Sequence, residues 1–179
     1  MNDLANKSLR LGVIGAIAAL LLAVVNSFTS PVIARYHQEE VQAALRSLAG
    51  DGSPGALEEN PAPNVMKRWS IEPAKGWILE IQAKGYGGEM TLLASYNADG
   101  SLITAKLLSN NETVGFGKKA EAPGYMDIFA AKGADSPVPL SKADLGEHSD
   151  VVSGATVTFL GISKAILMGS NLVKQWEQP

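Results

Sequence analysis

Ser153-Gly154-Ala155-Thr156 is the stretch of this 179-residue chain whose side chains invite chemistry most directly. Three small residues and a hydroxyl stand just before an apolar-periodic segment, so the unpaired N–H groups that open a helix gather there. A helix start of this kind suits a phosphate, through those donors and the positive end of the helix dipole. Gly154 and Ala155 let a ligand approach the backbone closely. The Thr156 hydroxyl could cap the helix or be esterified by a phosphate; on spacing alone the ordinary N-cap at Ser153 or Thr156 is the leading reading, since it explains the hydroxyls and the glycine without any cofactor. Asp150, three residues before Ser153, is read as a loop-holding or turn-stabilising carboxylate. A second stretch, Glu112-Thr113-Val114-Gly115-Phe116-Gly117, is a glycine-rich loop offering a carboxylate, a hydroxyl and an aromatic face, followed by Lys118 and Lys119. A third, Gly85-Tyr86-Gly87-Gly88, sets an aromatic ring among glycines.

Composition narrows the chemistry available to these residues. There is no cysteine, so disulfides, cysteine-ligated iron–sulfur clusters and a thiolate nucleophile are excluded. The two histidines, His37 and His148, are too far apart in sequence to make a zinc or haem site built on imidazoles the expectation. The net charge of −3 carries no basic nucleic-acid footprint. Electron transfer by this chain would need an organic cofactor.

The elements that must position these residues are legible in outline. Leu11 to Phe28 is apolar on every face and, at ~1.5 Å per residue, long enough for a hydrocarbon core of roughly 30 Å. Lys7 and Arg10 precede it, which by the positive-inside bias places the N-terminus in the cytoplasm and the rest outside. A helix is expected over residues 32–48, continuing the anchor or following it after Pro31. Residues 49–75, with Gly50, Gly52, Pro54, Gly55, Pro61 and Pro63, are expected to be irregular. Strands are expected over residues 77–83, 90–96 and 102–108, the last two joined by a hairpin turn at Asn97-Ala-Asp-Gly100. A short helix is expected over residues 125–132 and a short strand at Val151-Val152. A final helix over residues 157–175 has Phe159, Ile162, Ile166, Gly169 and Val173 on one face. The fold class is α+β: a single N-terminal membrane helix, then an antiparallel sheet with flanking helices.

The run Asp150-x-x-Ser-Gly-Ala-Thr156 resembles the flavinylation motif of proteins modified by a dedicated FMN transferase. Glu112 to Gly117 resembles the E-T-P-G-L-G loop of the same family, with Val114 in place of the usual Pro and Phe116 in place of the usual Leu. Asn110 stands where many relatives have His. With Gly85 to Gly88 as a third match, the order and spacing resemble the G subunit of the Rnf electron-transport complex, and more distantly the C subunit of the sodium-translocating NADH:quinone reductase. The resemblance implies FMN joined covalently to Thr156 as a phosphoester. It implies that Ser153, Gly154 and Ala155 line the phosphate, that Asp150 belongs to the recognition run and holds the loop or assists the transferase, that Glu112, Thr113, Gly115, Phe116 and Gly117 wrap the ring or ribityl chain with Tyr86 beside the flavin, and that Lys118 offsets the phosphate or the reduced ring. It implies an electron-carrying subunit of an oxidoreductase and ion translocase, with no catalytic residue or metal ligand of its own. The other Rnf subunits, the membrane and an FMN transferase would be its partners. On this reading residues 1–30 are the cytoplasmic tip and anchor, 31–75 a helical stalk and irregular linker, and 76–179 an extracytoplasmic FMN-binding domain on the inner membrane. A component like the C subunit of the sodium-translocating NADH:quinone reductase, or a free-standing extracytoplasmic flavoprotein, is an alternative. A non-redox anchored structural domain, whose Ser-Gly-Ala-Thr run merely caps a helix, is an alternative of another class.

Overall fold

In a computed structural model, the protein is described over the backbone of residues 2–178 and the side chains of residues 6–178; the end residues Met1 and Pro179 of the expected spans lie outside these. The chain divides into two compact units, residues 1–42 and 43–179. The first consists of one helix, α1, which continues into the second unit and runs over Asn2–Leu48. Its apolar side chains from Leu9 to Ile33 are exposed, including Leu11, Ile14, Leu22 and Phe28 at 65–73%. A continuous apolar surface of this kind is not stable in water and matches a hydrocarbon environment. The helix passes through Pro31, which withdraws one backbone donor. The nearby hydroxyls of Ser27 and Thr29 fold back onto the carbonyls of Val24 and Val25, each at 2.8 Å, so they expose little polarity.

The second unit is built on five antiparallel strands in sequence order: β1 (Ser53–Ala62), β2 (Val65–Glu72), β3 (Gly76–Lys84), β4 (Glu89–Asn97) and β5 (Leu102–Ser109). The β4–β5 turn forms where expected. Gly100 takes a φ of +84°, and the Asp99 carboxylate accepts the Ser101 hydroxyl and N–H at 2.6 and 2.7 Å. Those two bonds, the hydroxyl's first, hold the Asp99 carboxyl below the usual range.

Residues 49–75 depart from the expectation. They are not irregular but carry β1 and β2, paired from Ser53↔Glu72 to Ala62↔Val65. In β2, Val65, Trp69 and Ile71 are buried, the last two at alternate positions. β1 buries no side chain fully, because an edge strand is held by backbone pairing and can remain polar on both faces. The expected strand at Val151-Val152 is instead the end of a 3-10 segment, Lys142–Val152, which breaks at Gly146. The expected helix over 125–132 is a 3-10 turn, Tyr125–Phe129.

A final helix, α2 (Thr156–Glu177), lies across β3 and β4. Phe159, Ile162, Ile166 and Val173 are wholly buried with Leu79, Ile81, Leu92 and Tyr96 of the sheet. Each such apolar side chain contributes roughly 1.5–3 kcal/mol on leaving water. Two glycines set the closeness of the contact. A Cβ on Gly161 would strike the Lys84 carbonyl, and one on Gly169 would strike the Tyr96 hydroxyl, which donates to the Ile166 carbonyl at 3.1 Å. The far end of α2 is pinned by Arg68, whose guanidinium lies 4.7 Å from the ring centre of Trp77 and 4.3 Å from that of Trp176. This packing fixes the first turn of α2 beside the β3–β4 loop, where the site is built.

Candidate functional site

The turn into α2 follows from its small residues. The Ser153 N–H donates to the Asp150 carbonyl and the Ala155 N–H to the Val152 carbonyl, at 3.1 and 3.0 Å. Between them Gly154 takes a φ of +79°, a conformation that suits glycine. The N-cap of α2 is Ala155, which has no side chain able to cap it. The first helical bond runs from the Phe159 N–H to the Ala155 carbonyl at 2.9 Å, so the N–H groups of Thr156, Val157 and Thr158 precede the helical ladder. Ser153 and Thr156 are therefore not caps. Thr156 is exposed, and its hydroxyl has no hydrogen bond among the described residues.

The loop over 112–117 is a second built turn. Asn110 starts it, its Oδ1 accepting the Glu112 N–H at 3.0 Å, while its amide donates to the Glu121 carboxylate at 2.6 Å. The Phe116 and Lys118 N–H groups donate to the Thr113 carbonyl, and Gly115 takes a φ of +81°. Lys118 pairs with Glu121 at 3.1 Å. The Asn110 amide, followed by Lys118, holds the Glu121 carboxyl below its usual range. Phe116 reaches the other turn: a Cβ on Gly154 would lie 3.0 Å from its ring.

Glu112 joins the pieces. It is 4% exposed. Its Oε1 accepts the Gly87 N–H at 3.0 Å and its Oε2 accepts the Thr158 hydroxyl at 2.7 Å. The carboxylate thus ties the β3–β4 loop to the first turn of α2. Cβ atoms on Gly85 or Gly117 would collide with that carboxylate, so these glycines make the space it occupies.

Between these segments lies a cleft of about 510 Å³ lined by Tyr86, Glu112, Thr113, Phe116, Gly117, Gly154, Ala155, Thr156, Val157 and Thr158. That volume falls within the roughly 300–1,000 Å³ of small-molecule and cofactor sites. Tyr86 and Phe116 are 77% and 56% exposed, so the rim is aromatic and open to solvent. Four residues singled out from sequence are placed outside the lining. Gly115 is at the tip of its turn, Lys118 pairs with Glu121, Asp150 is exposed, and Ser153 is half-buried behind Gly154. His148 lines a separate cavity with Leu145 and Asp144.

Three contributors were not legible in the motifs. Val157 and Thr158 complete the wall. Lys142 donates to the Ser153 hydroxyl at 2.7 Å, and Lys119, weighed beside Lys118 from sequence, donates to the Ser153 carbonyl at 3.0 Å. Two ammonium groups therefore converge on the residue three before Thr156, and neither has a carboxylate partner among the described residues.

Residues 85–168 match the model of a family described as FMN-binding domain. The match begins at Gly85 and contains every residue that lines the cleft. The fold is α+β, with the N-terminal apolar helix preceding the sheet in the chain, and the segment that builds the cleft is similar to an FMN-binding domain. Longer similarity extends over most of the chain. It is 27% identical over 155 residues to the G subunit of the proton-translocating ferredoxin:NAD(+) oxidoreductase complex of Clostridium ljungdahlii, covering 84% of this chain and 80% of that one. It is 29% identical to the G subunit of the ion-translocating oxidoreductase complex of Cereibacter sphaeroides, covering 92% and 81%. It is 28% identical to the G subunit of the Na(+)-translocating ferredoxin:NAD(+) oxidoreductase complex of Acetobacterium woodii, covering 89% and 84%. The resemblance drawn from the three glycine-bearing motifs is borne out by these relatives.

Proposed function

We propose that Thr156 carries FMN as a phosphoester, and that the chain is a membrane-anchored electron-transfer subunit of an ion-translocating ferredoxin:NAD oxidoreductase complex of the Rnf type. The observation that carries this reading is the Thr156 hydroxyl. It stands at the first position of α2, exposed on the cleft and, among the described residues, neither capping the helix nor bonded to another group. A capping role would have used it; a modification site leaves it available.

The residues present fit the cofactor. The N–H groups that open α2 suit a phosphate. The ammonium groups of Lys119 and Lys142 lie beside that turn. Phe116 and Tyr86 offer aromatic faces, and Thr113 a hydroxyl, to a flat ring system. When bound, FMN supplies acceptance and release of one or two electrons. The protein's part is to hold and orient it. An exposed rim suits transfer between proteins, and a tether removes the need for a deep, tight pocket because the local concentration is fixed by the bond.

On this reading α1 spans the membrane from the cytoplasm, with Lys7 and Arg10 inside by the positive-inside bias and the FMN-binding domain outside. One helix provides no ion channel, so the ion path belongs to other members of the complex. An FMN transferase is a partner in maturation. The match to G subunits over about four-fifths of their length supports the Rnf reading over the quinone-reductase one. The test is denaturing gel electrophoresis under ultraviolet light of protein expressed with the transferase. A fluorescent wild-type band that is lost in Thr156→Ala is expected. A dark wild-type band refutes covalent FMN, and a fluorescent variant band moves the attachment elsewhere.

A further inference from the structure

Glu112 is the one carboxylate in the wall of the cleft among the described residues, and its surroundings are unusual for a charge. The residue is 4% exposed, and no cation pairs with it among the described residues. Burying a carboxylate without a cation is costly unless hydrogen bonds replace water. Here two donors do so, the Gly87 N–H and the Thr158 hydroxyl, from segments 25 and 46 residues away. The first turn of α2, to which Thr158 belongs, adds the favourable end of the helix dipole. Space for the carboxylate comes from Gly85 on one loop and Gly117 on the other, since a Cβ at either would collide with it. A neutral glutamine is the closest uncharged match in shape: its carbonyl oxygen can accept the Gly87 N–H while its amide N–H donates to the Thr158 hydroxyl oxygen, so the bracing of the cleft does not itself demand a charge. Burial weakens screening, and the charge acts on the cleft at a lower effective dielectric than water's.

We infer that the Glu112 carboxylate is a positioning residue with an electrostatic role: it braces the two glycine loops against α2 and, as a buried negative charge with no cation partner among the described residues, holds the reduction potential of the flavin in the cleft below the value it would otherwise have. This inference rests on the FMN reading of the same cleft. Reduction adds electron density to the isoalloxazine, and a fixed negative charge in the wall disfavours that gain. Removing the charge while keeping the shape raises the potential; removing a donor while keeping the charge does not.

The test is a spectroelectrochemical titration of the full-length flavin-loaded protein in detergent, comparing wild type, Glu112→Gln and Thr158→Val. Peptide mapping first establishes where the flavin sits in the wild type. Flavin on a residue other than Thr156 there refutes the tether reading on its own evidence, whatever the titrations give. Glu112→Gln is expected to load FMN, keep its fold and titrate at a more positive potential. Thr158→Val is expected to lose thermal stability without an upward shift. Equal potentials in wild type and Glu112→Gln overturn the electrostatic role, as does an upward shift of the same size in Thr158→Val, which would mark the effect as one of shape. A folded Glu112→Gln protein that takes up no FMN also overturns it, because the position would then act through a geometry that the amide cannot reproduce.

Discussion

Replacing Thr158 with valine isolates the bond on which the cleft's geometry depends. Thr158 is 1% exposed, and its hydroxyl donates to Glu112 Oε2 at 2.7 Å. Valine has nearly the same shape but cannot donate, so Oε2 is left buried with only the Gly87 bond to Oε1 remaining on that carboxylate. A hydrogen bond to a charged group contributes about 1.5–3 kcal/mol. The extra methyl, buried in place of the hydroxyl, recovers up to ~0.8 kcal/mol. The net cost is then about 1–2 kcal/mol. For a unit of this size each kcal/mol lowers the melting temperature by roughly 3–5 °C, so a fall of about 3–10 °C is expected. The assay is scanning calorimetry of the flavin-free chain in detergent, with Thr156→Val as the companion. Thr156 is exposed and unbonded among the described residues, so its substitution is expected to leave the melting temperature within about 1 °C. An unchanged midpoint in Thr158→Val, or equal losses in both variants, would refute the account of how Glu112 is held.

Tyr125 is 2% exposed and its hydroxyl has no hydrogen-bond partner among the described residues, so Tyr125→Phe is expected to gain about 1 kcal/mol in denaturant titration. Burial also pushes this hydroxyl from 10.0 up to about 12. The neutral form is favoured in the fold, so stability is complete below pH 10 and is lost as pH rises towards 12. Tyr125→Phe should show a shallower alkaline loss, and an unchanged slope would contradict this. Arg68→Ala removes the guanidinium from between Trp77 and Trp176 and from its pairing with Glu58, with an expected cost of about 1–2 kcal/mol. Arg68→Lys recovers only part of it, as a calorimetric comparison would show, because a compact ammonium cannot contact both rings and hold Glu58 at once as the broad guanidinium does. The pair Lys119→Gln and Lys142→Gln is expected to slow FMN loading by roughly 3- to 10-fold at low salt, from ~0.5 kcal/mol or somewhat more per exposed ammonium. Loading rates identical to wild type would show that these cations do not serve the phosphate.

Strong local signals carried three of the five strands and the final helix. β3 to β5 and α2 each combine apolar periodicity with turn residues, and the Asn97-Ala-Asp-Gly100 turn announces itself by composition. β1 and β2 were hidden by Pro54, Gly55, Pro61 and Pro63. A polar edge strand needs no apolar face of its own, so its pairing is decided by the neighbouring backbone. In the site, the residue types of both turns were legible, but the reason for the glycines was not. Gly85 and Gly117 are required by a carboxylate that approaches each of them in three dimensions. Lys142 reaches Ser153 from 11 residues away through the broken 3-10 segment, a distance at which no motif shows it. The capping reading of Thr156 was open in sequence because hydroxyls near helix starts usually cap, and the geometry assigns that place to Ala155 instead.

On the proposed function the Thr156 hydroxyl is the tether. Intact mass of the full chain expressed with an FMN transferase, followed by mapping of the peptide containing Ser153-Gly-Ala-Thr156, tests it most directly. A single added FMN, localised by fragmentation to Thr156 and absent from Thr156→Ala, is expected. An unmodified chain, or FMN localised to Ser153 or Thr158, would contradict it.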